Sequence, residues 1–448
     1  MKAEAVEQSL YEVRKAIHPR AVHGWFAAWR WFLVWGTQLV FYGTAWLQWN
    51  DRQAVLFDIA HRKFYIFGLV FWPQDIIYLT VLLIICALSL FLFTAVAGRL
   101  WCGYACPQTV YTEIFMWIEK KIEGDRNARI KLDASGYSVK KSILKAEKHG
   151  IWIALSLWTG VTFVGYVTPI RELWVEVFAL STGPWETFWI LFYGFATYGN
   201  AGWMREQVCL HMCPYARFQS AMFDKDTLII TYDKARGEPR GKGEGKGDCV
   251  DCSICVQVCP TGIDIREGLQ YQCIGCAACI DGCNQVMDKV GKPQKLIRYS
   301  TTHALEGAPT RILRPRVLIY SAILAAVVLA ACASLWLRVP LKVDVIRDRA
   351  SISREVADGR IENVYRLQIM NTTESAREFD VAVAGLPTLQ LATAPRVRVG
   401  AAENLMLPVR VRAEPGLVAA GTHRIQFNVR AIDDERVAVV EKSVFIMR

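Results

Sequence analysis

The sequence predicts a polytopic α-helical membrane protein with a cysteine-rich domain inserted between its spans and a β-sandwich at its C-terminal end. Three observations carry this. Hydrophobic residues make up 53% and aromatic residues 12% of the 448 residues, with 16 Trp, which is more apolar than an ordinary soluble domain. All 14 Cys and all 16 Trp precede residue 337, so the material after that point is of a different kind. Runs of roughly 20 apolar residues occur only before it, and period-two alternation dominates after it. The formal charge of +10 would suit nucleic acid if the basic residues lined one face. They sit between apolar runs instead, which fits membrane topology, and no nucleic-acid partner is expected.

Five spans are expected, at about 32–49, 76–97, 151–168, 185–203 and 317–337. Arg30 and Gln38 make the first the least clean, but Trp25, Trp29, Trp31, Trp46 and Trp49 flank it as an interfacial belt does. The stretch Phe64 to Trp72 is too short to cross and ends at Pro73, so it is expected to lie in the interface or re-enter. Residues 1–24 lack the pattern of a cleavable signal peptide, so the first span is expected to be retained. Lys and Arg number ten in 98–150 and sixteen in 204–316, against three in 50–75 and one in 169–184. Positive residues mark the cytoplasmic side. The N-terminus and both basic connections are then cytoplasmic, and residues after about 338 periplasmic, in a bacterial inner membrane. The expected organisation is a membrane domain with four spans (1–233), a flexible linker (234–248), the cysteine-rich domain (249–300), a connection with the fifth span (301–337) and an outer domain (338–448).

The outer domain alternates at Val343 and Val345, Tyr365 to Ile369, Leu405 to Val411, Ile425 to Val429, and Val437 and Val439. This predicts an immunoglobulin-like sandwich of seven or eight antiparallel strands, with a small open barrel as the alternative. It contains no catalytic constellation, so a docking role is expected for it.

The strongest chemical signal is Cys249-x2-Cys252-x2-Cys255-x3-Cys259-Pro260, repeated as Cys273-x2-Cys276-x2-Cys279-x3-Cys283. Three thiolates at spacings of three wrap one cubane, and the fourth turns away to the other cluster. Crossed ligation follows: Cys249, Cys252, Cys255 and Cys283 for one [4Fe-4S] cluster, and Cys273, Cys276, Cys279 and Cys259 for the second. The inserted domain is thus a dicluster ferredoxin-like domain. Two structural zinc sites are the alternative, and the doubled register disfavours it. The glycine-rich stretch 234–247 lacks the strand and helix of a phosphate loop and reads as a tether.

A second motif, CxxxCP, occurs twice. Cys102 and Cys106 follow the second span, and Cys209 and Cys213 follow the fourth, each offset by 107, as a duplicated unit would place them. Residues four apart share a helix face, so each pair can present two sulfurs together, with Pro107 and Pro214 opening a new helix behind them. Thiolates select soft metals, above all Cu(I). Redox cycling as a disulfide and plain packing are the alternatives. His211 and Met212, inside the second motif, are further candidate copper ligands. Cys86 and Cys332 are expected to be core residues of their spans.

With these motifs in place the sequence resembles the CcoG family, also called RdxA or FixG, the cytochrome c oxidase accessory proteins. The resemblance rests on Gly98-Arg-Leu-Trp-Cys-Gly-Tyr-Ala-Cys-Pro-Gln108, Ile118 to Arg129, Cys259 to Arg266 and Cys273 to Asp281, and on the order of the elements. It implies a cupric reductase that serves assembly of cbb3-type cytochrome oxidase. Two [4Fe-4S] clusters are its cofactors, and copper is substrate or transient ligand at Cys102, Cys106, Cys209 and Cys213. Copper-delivery proteins and oxidase subunits are the implied partners. A thiolate pair holds Cu(I) better than Cu(II), which raises the copper potential. Two other classes stand beside this: a quinol-linked electron-transfer protein of the NapH type, and a non-catalytic assembly scaffold. No haem, flavin or nucleotide motif occurs, so the electron donor is external. The oligomeric state, a dimer included, stays open.

Overall fold

The computed structural model describes residues 17–348, 353–416 and 418–447. The first 16 residues, part of the polar stretch read as lacking a signal-peptide pattern, lie outside the described residues. Two compact units form: Met1–Trp46 with Leu82–Val327, and Leu47–Val81 with Val328–Arg448.

A helix overlaps each of the five expected spans, Trp25–Thr44, Ile76–Ala97, Val139–Val164, Pro184–Thr197 and Pro315–Trp336, the first ending at Thr44 short of the expected 49. Among the described residues, two are long and apolar enough to cross a membrane, Pro73–Ala97 and Pro315–Trp336. The other three depart from an all-apolar span for local reasons. Trp25–Thr44 buries Arg30 and Gln38. Val139–Val164 begins with lysine-bearing turns that extend it ahead of its apolar half. Pro184–Thr197 gives way after 14 residues to a π-helical stretch, Tyr198–Met204, where Gly199 and Gly202 weaken the regular ladder. In the first unit, Gly160 faces Ile190 so closely that any side chain there would collide with the Ile190 carbonyl. Small residues of this kind let neighbouring helices approach in apolar surroundings.

The cysteine-rich domain is framed by strands Ile229–Tyr232 and Ile297–Ser300, paired antiparallel with Tyr232 opposite Ile297. Ile230, Tyr232, Ile265, Met287, Leu296 and Ile297 pack with the cysteines in one core. The frame therefore starts about 20 residues before Cys249. The segment expected to be a flexible linker is folded into this domain. Arg236 donates to the Asp248 carboxylate at 2.5 Å, to the Gln294 carbonyl at 2.9 Å and to the Pro293 carbonyl, and the Gly241 N–H donates to the Cys249 carbonyl at 2.8 Å. Glycine content concealed this, because one guanidinium with several acceptors closes a loop whatever its composition.

The second unit contains a sandwich that has, among the described residues, nine strands rather than seven or eight. One sheet runs Gln390–Leu391, Asn404–Ala413, Ile361–Asn371, Leu341–Arg347, with Arg354–Glu355 also paired to Ile361–Asn371; the other runs Arg396–Val399, Arg377–Ala384, Gly421–Ala431, Ala438–Met447. All pairings are antiparallel, and Tyr365, Phe379, Phe427 and Phe445 fill the core. The stretch expected to lie in the interface or re-enter is part of this unit. Lys63–Ile66 and Leu69–Phe71 join Val55–Asp58 in a three-stranded sheet, and Val70 and Trp72 pack on Met370 of the sandwich. Pairing satisfies the backbone groups that a short re-entrant segment would leave open. Asp75 anchors the segment's end, accepting from Arg338 at 2.7 Å and from Lys342.

Candidate metal centre

The eight clustered cysteines occupy two copies of one backbone pattern. Asp251 and Ser253 around Cys252, and Gly275 and Ala277 around Cys276, take left-handed conformations with φ of 54°, 53°, 70° and 58°. Alternating left- and right-handed residues turn successive N–H groups inward and form the anion-binding concavity that suits an iron–sulfur cluster. Three of these four residues carry a Cβ, so the conformation is held against its steric preference. The Gly275 N–H donates to the Cys273 sulfur and the Ala278 N–H to that of Cys276. Cys249, Cys252 and Cys255 lie close enough for their charges to act on Cys283, as do Cys259, Cys273 and Cys276 on Cys279. Burial pushes the Cys255 and Cys273 thiols up to about 11 and those of Cys276 and Cys283 up to about 12. Such thiols keep their protons at neutral pH unless a cationic centre takes them as thiolates. Thiol donors lined by inward N–H groups fit [4Fe-4S] clusters.

The two CxxxCP motifs converge on the same region. Cys106 and Cys213 each precede a helix with Pro at its first position, Pro107–Glu123 and Pro214–Met222, as expected. The pairs do not share one continuous helix face, however. Cys102 lies in the short helix Leu100–Tyr104 and Cys209 in the π-helical turn Val208–Met212, so the chain breaks between each pair. The proline behind the second cysteine disfavours a helical conformation there and forces the break. The four thiols still gather: Cys106 acts electrostatically on Cys102 and Cys209, and Cys213 on Cys106 and Cys209. Burial pushes Cys102 and Cys209 up to about 12. The Cys102 thiol donates to Gln219 at 3.3 Å, and Cys106 accepts from the Gln108 and Thr109 N–H groups at the start of its helix. Among the described residues no three or more His, Cys, Asp or Glu side chains converge at single-ion distance. His211 and Met212 are exposed. Cys86 and Cys332, expected in the core, are exposed on their apolar helices.

Three residues that motif spacing did not single out connect these centres. Arg99, buried, donates to the carbonyls of Tyr271, Cys273 and Ala216, so one guanidinium ties both motif helices to the cluster loop. Arg30 donates to the Cys276 carbonyl at 2.5 Å. Asp281 accepts from the N–H groups of Phe26 and Ala27 at 3.3 and 2.7 Å and caps the first helix from the cluster domain. In sequence, each was an ordinary charge beside a motif.

Residues 204–302 match a family described as a 4Fe-4S dicluster domain, residues 331–448 the "IG-like fold at C-terminal of FixG, putative oxidoreductase", and residues 79–124 a 4Fe-4S binding domain. Nitrogen fixation protein FixG of Rhizobium meliloti is 37% identical over 92% of this chain and 88% of its own length. Protein RdxA of Cereibacter sphaeroides is 39% identical over 92% of this chain and 90% of its own. The chain belongs to the FixG/RdxA family. Ferredoxin-type protein NapH of Haemophilus influenzae, at 24% identity, matches 49% of the chain and 69% of its own length. A FixG/RdxA protein therefore has here the features of a membrane-associated iron–sulfur electron-transfer protein: a dicluster domain, two strongly apolar helices and an immunoglobulin-like C-terminal domain.

Proposed function

We propose that this FixG/RdxA protein is a membrane cupric reductase that supplies Cu(I) for assembly of cbb3-type cytochrome oxidase. The observation that supports the reading is Arg99, which hydrogen-bonds the Cys273 and Ala216 carbonyls while the thiols of Cys102, Cys209 and Cys213 act on its charge. When bound, two [4Fe-4S] clusters supply one-electron carriage, and Cu(II) to Cu(I) needs one electron. Cys249, Cys252, Cys255 and Cys283 would hold one cluster, and Cys259, Cys273, Cys276 and Cys279 the other. Cys102, Cys106, Cys209 and Cys213 receive copper as substrate, because paired thiolates favour the reduced ion. Five crossings with both basic connections cytoplasmic give the topology, and the sandwich is a periplasmic docking domain for assembly partners.

The test is anaerobic titration of the purified, reduced protein with Cu(II). Cluster absorption should return as Cu(I) appears, and the quadruple Ala variant of the CxxxCP cysteines should lose this while keeping its iron and sulfide. Retained reduction in that variant would remove the copper assignment, and a scaffold would show no reoxidation at all. The 4Fe-4S family match across Cys102 and Cys106 supports a second reading, in which these four thiols hold iron. Iron content separates the two: about eight per chain for two clusters and about twelve for three.

A further inference from the structure

The first unit contains a cavity of about 830 Å³ whose lining includes Arg30, Trp31, Trp35, Glu113, Trp117 and Cys276. Its walls differ in chemistry. Trp31 and Trp117 meet edge to face at 6.3 Å, and Trp35 and Trp117 are 68% and 46% exposed on the helices Trp25–Thr44 and Pro107–Glu123. Aromatic side chains in this position mark the level where an apolar surface meets water. Much of the remaining lining is polar or charged, and Cys209 is part of it. Arg30 reaches the Cys276 carbonyl, and Glu113 has no hydrogen-bond or ion-pair partner among the described residues, although the Arg30 charge acts on it. A half-buried carboxyl without a partner is costly to keep unless it serves a bound molecule.

We propose that this cavity is an oxidation site for a membrane hydroquinone, the electron donor to the iron–sulfur centre. A hydroquinone has a flat ring for the Trp walls and a lipophilic tail for the exposed faces of Trp35 and Trp117. One oxygen accepts from Arg30 as the quinone carbonyl, and one hydroxyl of the hydroquinone releases its proton toward Glu113. Each molecule oxidised loses two protons and two electrons and becomes the quinone. Glu113 takes one proton, and solvent water takes the other. The two electrons leave singly past Cys276 and reduce two Cu(II) to two Cu(I), a final step that rests on the copper reading above. Burial pushes the Glu113 carboxyl above its ordinary value, which makes its ionised form a better proton acceptor. The quinol-linked and copper-reducing alternatives then become the two ends of one electron path.

The experiment uses the cluster-bearing protein in lipid nanodiscs. A photoreactive short-chain quinone should label peptides of Trp25–Thr44 or Pro107–Glu123, and plain quinone should compete. In rapid mixing, the quinone should reoxidise reduced clusters with saturation. Glu113→Gln should slow this about 10²-fold, and Trp117→Ala should raise the half-saturating quinone concentration about tenfold. Both variants should keep full iron content and unchanged reoxidation by Cu(II). Labelling elsewhere, or reoxidation that stays linear in quinone and is unmoved by either variant, overturns the site. Quinone exchange without Cu(II) exchange would remove the copper reading and leave this one standing; the reverse result would remove the quinone site alone.

Discussion

Gly103 lies so close to Cys276 that a Cβ on it would stand 2.7 Å from both the Cα and the backbone N of that cysteine. The first CxxxCP motif thus touches the cluster loop through bare backbone, and glycine is the residue that allows it. Gly103→Ala should force the loop to shift, at about 1–3 kcal/mol of overpacking. The electron paramagnetic resonance signal of the cluster assigned to Cys276 should broaden or vanish while the other persists. Equal loss of both signals would mean that the contact serves general folding.

Arg99 reaches three carbonyls on two other segments, a geometry that a planar fork provides and a lysine ammonium does not. Arg99→Lys should lower unfolding stability by about 2–3 kcal/mol, followed by denaturant melts of the cluster absorption. It should also slow Cu(II)-driven reoxidation under conditions where the variant is still fully folded. An unchanged rate would leave Arg99 a purely structural tie.

Glu119 is buried among cations, 2.7 Å from Arg129, 2.6 Å from Arg205 and 3.7 Å from Lys148. Although burial raises its carboxyl pKa, these cations outweigh it and hold the group below its ordinary value. A depressed carboxyl contributes stability that is in place above the unfolded value and is lost as pH falls through the folded one. Glu119→Gln should cost about 3–5 kcal/mol at neutral pH, because it leaves buried charges uncompensated. Thermal melts should show the gap from wild type narrowing as pH drops below about 4.5; a constant gap would count against the ionised pairing.

Asp75 holds the segment after the three-stranded sheet through Arg338 and Lys342. Asp75→Asn should loosen that sheet without unfolding the sandwich. Amide exchange across 55–71 should quicken about 10²-fold or more, with little change in the strand Ile361–Asn371. Uniform quickening would show that the two fold as one.

The topology proposal is tested by reporter fusions. Fusions near Gly136 and Gly241 should report the cytoplasm, and those after Trp49 and Pro340 the periplasm. A cytoplasmic signal beyond Pro340 would overturn the five crossings and the placing of the sandwich together.

What the amino-acid sequence determined by itself was local. The eight-cysteine register, the prolines that open helices behind Cys106 and Cys213, and the alternation at Tyr365, Leu367 and Ile369 act within a few residues of themselves, and the structure keeps each. Tertiary structure decided what depends on partners distant in the chain. The residues Phe64 to Trp72 read as interfacial because their apolar side chains were visible, while Met370, which covers them, lies about 300 residues away. The Gly-rich 234–248 segment read as loose because composition does not reveal that Arg236 finds Asp248, Pro293 and Gln294. In the same way, Arg99 and Arg30 were single charges until folding brought backbone carbonyls of the cluster loop to them. A cysteine spacing carries its geometry in the covalent chain, whereas a buried arginine acquires its role from acceptors that only the folded chain assembles.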